Sequence, residues 1–378
     1  MNLIQRNYDV LSGRHDLEAL YTFERFPVFM GCVDERPEKD LFAEMSWHIS
    51  RSSGLIQLHP VLPLDVIYGK GHGSGSIGPL WDKHHHAFSE FLHDFTPCSV
   101  LEIGGCHGIL SKKYHTLSSV EWTIVEPNPM LVENVPARVI KSFFDDNFRY
   151  DQSFDTLVHS HVLEHVYEPE KFMQHLSGFM DEGKYLIFSI PNMEVMLDRK
   201  YTNCINFEHT VLLTETYVDY LLGRHGFQML KKEYFLDDHS IFYAARRDSS
   251  AVSVDLPPGL YKKNRKIYDE YIKHHTELIR ELNDEILKTE KPVYLFGAHV
   301  FSQYLIAFGL CTDKMVGLLD NDSKKQGKRL YGTSLEVASP QILRNTPYPL
   351  VILRAGVYNN EIKQDILTNI NPNTEFLE

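Results

Sequence analysis

The sequence predicts an α/β fold in which a small N-terminal lobe is followed by two Rossmann-like units. Two observations predict it: short β-branched and aliphatic runs alternate with helical stretches, and this alternation occurs twice along the chain. A length of 378 residues allows two or three domains of about 150 residues each. We place an N-terminal lobe with a lid at 1–82, the first unit at 83–247, a linker at 248–262 and the second unit at 263–378.

The first unit contains four apolar runs that predict parallel strands. Each run ends at a glycine, an acid, a histidine or a proline, as strands do where a loop begins. A helix and a closing strand that begins at Ser240 complete the unit. The predicted strands cover 99–103, 122–125, 155–159 and 185–190, and the predicted helix covers 214–222.

The second unit begins after a segment rich in serine and proline between Asp248 and Gly259. Apolar residues then recur at three- and four-residue steps from Ile267 to Ile286, which predicts one face of a long helix. Three strands follow, starting near Pro292, Met315 and Pro349.

Composition excludes several classes of protein. The formal net charge is −13 with no basic block, so we expect no nucleic-acid partner. No run approaches the roughly 18 apolar residues of a membrane helix, and no apolar core follows a basic N-terminus. The five cysteines include no C-x-x-C pair, so we predict neither a disulfide framework nor a metal site. We therefore expect a cytoplasmic protein.

The turn after the first strand carries the main functional signal. It reads Glu102-Ile-Gly104-Gly105-Cys-His-Gly108, and Glu126 ends the next strand. Glycine allows a ligand to approach the backbone closely, because no Cβ stands in the way. An acid at the end of the second strand accepts the ribose hydroxyls of a nucleoside.

A dinucleotide enzyme would have glycine at three marked positions of G-x-G-x-x-G. Counted from Gly104, Cys106 and Ile109 occupy the second and third of these positions. The turn therefore does not match the dinucleotide motif and favours a cofactor that contains a single nucleoside.

The pattern resembles the S-adenosylmethionine (SAM) methyltransferases, whose first motif is an acid followed by a looser glycine turn. The resemblance implies SAM as cofactor, with Glu102, Gly104 and Gly108 in the turn and Glu126 at the ribose. It also implies Asp145 at the adenine edge. It further implies that Ser160, at the start of Ser-His-Val-Leu-Glu-His, belongs to the cofactor site.

A narrower resemblance, to the sugar C-methyltransferases of deoxysugar pathways, rests on Pro191-Asn192 and on Asn206-Phe-Glu208-His209. That family also has a C-terminal Rossmann-like domain, which the segment around Asp320 resembles. It implies a nucleotide-linked sugar as the acceptor. Two positions depart from the pattern: the zinc-binding cysteine pairs of the family's N-terminal lobe are reduced to Cys32, and Asn206 replaces a tyrosine.

Methyl transfer to a carbon beside a ketone needs a base with a pKa near 7, and histidine is the natural choice. We predict His209 as that base. Glu208 then orients His209 or contacts the cofactor, and His165 stabilises negative charge on the acceptor oxygen.

The chain has 20 histidines, so structural roles for His165 and His209 stay open. A metal held by His159, His161 and His165 is an alternative that sulfonium chemistry does not require. His84-His85-His86 predicts a solvated helix start. The glycine-rich stretch from Gly69 to Gly78 predicts either a surface loop or a lid.

The leading hypothesis is thus a SAM-dependent methyltransferase that acts on a small polar acceptor. Carbon, oxygen and nitrogen acceptors are not separated by sequence. The remaining alternatives are an NAD-dependent oxidoreductase and a binding scaffold that has lost catalysis.

Overall fold

The computed structural model describes residues 2–69, 78–355 and 358–378, and these form two compact units. The large unit comprises residues up to 18, 48–199 and 208–265. The small unit comprises 19–47, 200–207 and 266–378. Each unit is therefore assembled from three separate stretches of chain.

The strands, in chain order, are β1 (Leu17–Pro27), β2 (Cys32–Val33), β3 (Phe42–Ser50), β4 (Ile56–Leu58), β5 (Ser99–Ile103), β6 (Glu121–Val125), β7 (Arg138–Ile140), β8 (Thr156–Ser160), β9 (Tyr185–Pro191), β10 (Phe227–Phe235), β11 (Ser240–Arg247), β12 (Val293–Phe296), β13 (Met315–Leu319), β14 (Arg329–Leu330), β15 (Val337–Ala338), β16 (Leu350–Leu353) and β17 (Glu375–Leu377).

The α-helices are α1 (Leu64–Ile67), α2 (Pro79–His93), α3 (Ile109–Tyr114), α4 (Pro169–Phe179), α5 (Met193–Asp198), α6 (Glu215–Arg224), α7 (Leu236–His239), α8 (Leu260–Lys288), α9 (Val300–Ala307) and α10 (Asn359–Asp365). Short 3-10 turns cover Pro37–Lys39, Leu163–His165, Thr202–Cys204 and Pro340–Asn345, and one π-helical turn covers Ile366–Ile370.

The large unit contains a seven-stranded sheet in the order β10-β11-β9-β8-β5-β6-β7. Neighbours from β9 to β7 run parallel, and β11 runs antiparallel to both of its neighbours. The four parallel strands predicted from the sequence are confirmed within one residue at each end, because each run is buried and bounded by a turn. Helix α6 and the closing strand β11 are also confirmed.

Both faces of this sheet are buried, as a doubly wound α/β sheet requires. Leu101 and Leu157 point into a cluster with Met173 of α4. The alternate strand residues point to the opposite face, where Val158 joins a cluster with Phe88 of α2. The two layers of helices leave the carboxyl ends of β5, β6 and β8 together at one edge of the sheet.

The small unit contains a five-stranded sheet in the order β15-β13-β12-β16-β17, and all of its neighbours run parallel. The long helix α8 was predicted from its apolar periodicity and is confirmed. Its residues Ile279, Leu282 and Ile286 join the core beneath this sheet. The helix covers an apolar face that a parallel sheet cannot leave exposed.

A stretch of the predicted N-terminal lobe, residues 19–47, belongs to the small unit. Strand β2 pairs with β14, and the guanidinium of Arg329 makes a bidentate ion pair with Asp40 at 2.6 and 2.7 Å. This pairing joins residues 289 positions apart, so local sequence patterns do not reveal it. The domains predicted from the sequence are consecutive stretches of chain, whereas each compact unit contains three separate stretches. The predicted boundaries stay a prediction.

Candidate active site

The turn between β5 and α3 is shaped by three glycines and one strained residue. Gly104 has φ +73°, and a Cβ there would lie 2.7 Å from Val162 Cγ2. Gly108 has φ +66° and would meet Val135 at 2.6 Å. Cys106, between them, also has a positive φ of 26°. The turn is therefore tightly packed, and larger residues would not fit at Gly104 and Gly108.

Glu126 ends β6 directly beside this turn. Its Oε2 accepts a hydrogen bond from the Cys106 N–H at 3.2 Å, and its Oε1 accepts one from the Asn128 N–H at 2.9 Å. An ionised carboxylate offers about four acceptor positions. The remaining positions fit the two ribose hydroxyls of an adenosine, so the arrangement suits the cofactor that the motif implied.

The other predicted cofactor residues lie in different surroundings. Glu102 is 3% exposed and its Oε2 accepts a 2.7 Å hydrogen bond from the Trp122 indole N–H. Burial raises the pKa of Glu102 to about 7. Asp145 is exposed and accepts a hydrogen bond from the Asn147 N–H within its own turn. Ser160 ends β8, with its Oγ 2.8 Å from Ser189 Oγ.

A cluster of polar side chains lies beyond the end of β8. The hydroxyl of Tyr68 is 3.1 Å from His165 Nδ1, and Glu208 Oε2 is 3.7 Å from the same nitrogen. The backbone oxygen of Tyr68 accepts a 2.6 Å hydrogen bond from the Asn128 amide. Tyr68 thereby connects the turn that holds Glu126 with the polar cluster.

His209 also belongs to this polar cluster. Its ring centroid lies 5.1 Å from that of His165, and one ligand atom each of Glu164, His165 and His209 lies within 4.8 Å of the others. The structure therefore brings together all three predicted catalytic residues, His165, Glu208 and His209. It adds Glu164 and Tyr68, for which the sequence had suggested no catalytic role.

Burial changes the acidity of the groups in this cluster. Desolvation, followed by repulsion from Glu164, raises the pKa of Glu208 to about 7. Desolvation also raises the pKa of Glu164, whose side chain is 1% exposed. A carboxyl with a pKa near neutrality exchanges protons readily at physiological pH. The site can therefore both accept and return a proton.

Arg6 fixes the segment that carries Glu208 and His209. Its buried guanidinium donates to the backbone oxygens of Tyr167 at 2.7 Å, Leu58 at 2.8 Å and Thr210 at 2.7 Å. These bonds tie together the ends of three stretches that surround the cluster. Sequence reasoning missed Arg6, because the signal consists entirely of long-range contacts.

One prediction about the histidines is wrong, and one alternative is ruled out. His84 and His85 are buried within α2 rather than solvated at its start, since Pro79 begins the helix. The trio of His159, His161 and His165 does not assemble either. His159 is buried against the ring of Phe188 at 4.8 Å, which takes it away from the other two.

The proposed glycine-rich lid lies outside the described residues except for its ends, Gly69 and Gly78. Of the two aromatic residues that flank it, Tyr68 contacts the polar cluster. Trp81 packs on His84 and His161, with ring centroids 5.1 and 4.9 Å apart.

Comparisons with known proteins address the large unit. Residues 79–232 match the model of a family described as a methyltransferase domain. Magnesium protoporphyrin IX methyltransferase from Synechocystis, solved with bound S-adenosylhomocysteine (SAH), is 17% identical with a TM-score of 0.36; the alignment covers 49% of this chain and 92% of that one. The N-methyltransferase NodS from Bradyrhizobium japonicum is 14% identical with a TM-score of 0.33, over 45% of this chain and 98% of that one.

A third solved structure, the plantazolicin methyltransferase BpumL with a substrate analogue and SAH, is 10% identical with a TM-score of 0.36, over 45% of this chain and 84% of that one. A comparison with curated proteins finds no match. Among the described residues, no helix is long and apolar enough to span a membrane.

The family match covers the stretch that contains the glycine turn, Glu126 and the polar cluster's His165. The sheet order, with one antiparallel strand at β11, belongs to the same stretch and its continuation. The stretch 79–232 of this chain is therefore similar to a methyltransferase domain.

Proposed function

We propose that this enzyme methylates a small polar acceptor, a nucleotide-linked deoxysugar, with His209 as the general base. The observation that carries the proposal is the polar cluster of Tyr68, His165, Glu208 and His209. Tyr68 joins it to the turn that follows Glu126 through the 2.6 Å bond with Asn128. Proton-transfer groups and the ribose acid thus share one edge of the sheet.

On the cofactor side, the chain's task is to hold SAM in one orientation. The bound cofactor supplies a methyl group on a positively charged sulfur. Glu126 accepts the ribose hydroxyls, while the glycine turn presents its backbone to the nucleoside. Glu102 supports the turn from within the core, and Gly104, Gly108, Asp145 and Ser160 complete the proposed cofactor set.

On the acceptor side, His209 removes the proton as the acceptor attacks. His165 donates to the acceptor oxygen, because its Nδ1 is already engaged with Tyr68 and Glu208. Glu208, with its pKa near 7, holds His165 in place and exchanges the released proton. Correct orientation of the two reactants can itself account for about 7–11 kcal/mol of barrier lowering.

The sugar-nucleotide acceptor rests on the resemblance in Asn206-Phe-Glu208-His209 and on the mixture of imidazole and carboxyl groups in the cluster. We propose that the five-stranded sheet of the small unit is the Rossmann-like domain expected in such enzymes. Its strands β12 and β13 pair in parallel and are connected through Gly297 and helix α9.

The direct test incubates the full chain with SAM and a panel of nucleotide sugars, and detects methylated product by mass spectrometry. We expect a ketone-containing nucleotide sugar to gain one methyl group. In deuterium oxide without SAM, the wild type should exchange one proton at the acceptor carbon and His209→Asn should not. Product without exchange would assign the methyl to oxygen or nitrogen. The absence of any product across the panel, with SAH binding intact, would refute the proposed acceptor.

A further inference from the structure

Three imidazoles converge beside the segment that follows β8. His84 comes from α2, His161 follows Ser160, and His239 ends α7. One ligand nitrogen of each lies within 4.8 Å of the others. The ring centroids are 5.2, 5.4 and 6.1 Å apart. This set, which we call the histidine triad, is distinct from the polar cluster at His165 and His209.

His84 lacks the hydrogen bonds that a buried imidazole needs. Its side chain is fully buried, and both ring nitrogens are without a hydrogen-bond partner among the described residues. A neutral imidazole always carries one N–H donor and one acceptor. Leaving such a group unpaired in the interior costs about 1–3 kcal/mol, so the position calls for a partner.

Aromatic side chains surround His84. Aromatic rings of Phe235 and Phe242 pack on it at centroid distances of 5.4 and 5.2 Å. Trp81 lies 5.1, 4.9 and 5.0 Å from the rings of the three histidines and covers the triad on one side. One ring nitrogen of His84 lies within 4.8 Å of a nitrogen of each of the other two imidazoles.

The other two rings are already oriented by hydrogen-bonding groups. The hydroxyl of Ser240 lies 2.9 Å from His161 Nε2 and 2.7 Å from His239 Nδ1. His161 Nδ1 lies 3.0 Å from the carboxylate of Glu164, so a metal bound through Nε2 would replace the contact with Ser240. A histidine that binds a metal through one nitrogen usually gives its other N–H to a carboxylate in this manner.

The geometry points to a site for a divalent transition metal of the zinc type, held by His84, His161 and His239 with Glu164 behind His161. Zn–N bonds of about 2.0–2.1 Å place two tetrahedral ligand nitrogens about 3.3 Å apart. Closure from 4.8 Å therefore requires movements of at most about 1.5 Å, which side-chain rotation supplies. Three imidazoles leave one position of the ion for a non-protein ligand.

Burial supports this assignment, because it lowers the pKa of all three imidazoles. Neutral imidazole is the form that binds metal. The ion would clamp α2 and α7 to the start of the segment that carries Glu164 and His165. Its role is then to position the polar cluster, and the inference does not depend on which acceptor is methylated.

The test measures zinc bound by the full-length protein, with competition against a chromogenic chelator. We expect about one zinc per chain in the wild type. His84→Phe, which suits its aromatic surroundings, and His239→Gln should each weaken zinc affinity about 100-fold or more, beyond the range for loss of an outer-shell partner. The exposed neighbour His86→Gln is the matched control and should bind zinc as the wild type does.

A second readout is the visible spectrum after Co²⁺ replaces Zn²⁺, which reports nitrogen ligation independently of activity. Circular dichroism verifies that each variant is folded. The inference is overturned if folded His84→Phe binds zinc as tightly as the wild type. It is also overturned if only His209→Gln loses zinc, because the ion would then occupy the polar cluster. A wild type that binds no zinc would show the triad to be an aromatic packing cluster.

Discussion

The large and small units both have a glycine turn after one strand and an acid at the end of the next strand, but the two acids have different contacts. In the large unit, the Gly104 N–H donates to Val125 and Glu126 accepts from Cys106 and Asn128. In the small unit, the Gly297 N–H donates to Leu319 in the same way. Asp320, at the end of β13, accepts hydrogen bonds from the Ala298 and Asp322 N–H groups, each at 2.9 Å.

The difference lies in what else contacts the two acids. Asp320 makes a 2.9 Å ion pair with Lys325, whose ammonium neutralises the carboxylate from within the unit. The carboxylate of Glu126 accepts hydrogen bonds from two backbone amides. Asp320 thus accepts three hydrogen bonds and Glu126 two, and we propose a ligand site only at Glu126.

The largest expected effect concerns His209, the proposed base of the large unit. His209→Asn should lower turnover about 100-fold or more, since loss of a general base typically costs that much. SAH affinity, measured by calorimetry, should remain close to that of the wild type. His299→Asn, in the corresponding glycine turn of the small unit, is the control, because asparagine also caps a helix well. A near-normal rate for His209→Asn would assign proton removal to another group, with Glu208 the next to test.

The buried acid of β5 provides the second prediction. The corresponding position in β12, two residues before the turn glycine, is Leu295. Because folding raises the pKa of Glu102 from 4.5 to about 7, its ionisation costs stability as the pH rises through that window. Glu102→Gln keeps an oxygen for the Trp122 indole and never ionises. It should raise the free energy of unfolding by on the order of 3 kcal/mol at pH 8 and by almost nothing at pH 4.

Chemical denaturation at several pH values measures this effect, with the exposed Glu121→Gln as control. An identical pH dependence in Glu102→Gln and the wild type would show that Glu102 does not titrate in this range. SAH titration of the same variant decides its role: unchanged affinity places Glu102 among the core residues rather than at the cofactor.

The third prediction compares the two acids directly. Glu126→Ala should weaken SAH binding by about 1.5–3 kcal/mol, or roughly 10- to 150-fold, the range for hydrogen bonds to a charged group. Asp320→Ala should leave SAH affinity unchanged and lower stability instead. If both variants bind SAH normally, Glu126 does not contact the ribose; if Asp320→Ala loses affinity, the small unit takes part in cofactor binding.

The smallest effect is expected for the ion pair between Lys325 and Asp320 in the small unit. Lys325→Met should lower the free energy of unfolding by about 1 kcal/mol, since both partners are only partly exposed and the pair is screened by solvent. SAH affinity should not change. Its exposed neighbour Lys324→Met should have no measurable effect on thermal denaturation, and equal losses in the two variants would contradict a specific role for the pair.

Much of the fold was predictable, because its signals are local. Strand β5, the glycine turn and Glu126 lie within 28 consecutive residues. Buried runs between turn residues predict parallel strands whatever surrounds them. Helix α8 was predictable for the same reason, as one helical face must be apolar along its whole length. His165 and His209 were candidates for catalysis because of their neighbours in sequence, not because their contacts were visible.

The remaining features depend on contacts between distant residues. The histidines at 84–86 follow a glycine-rich stretch and look solvated, yet helix packing buries His84 against the β8 segment. Arg6 supports His209 across more than 200 positions. The motif Glu102-Ile-Gly also does not show that the Glu102 carboxyl contacts Trp122. The pairing register of the strand decides which face of the sheet each side chain occupies.

By itself, the sequence determined the class of fold, the position of the glycine turn and the acid that ends the next strand, because these follow from periodicity and backbone conformation. Only the tertiary structure decided which histidines meet and which acids are neutralised. It also decided which stretches of chain belong to which unit. Those outcomes depend on burial and on contacts between segments that are far apart in sequence, so local sequence patterns do not reveal them.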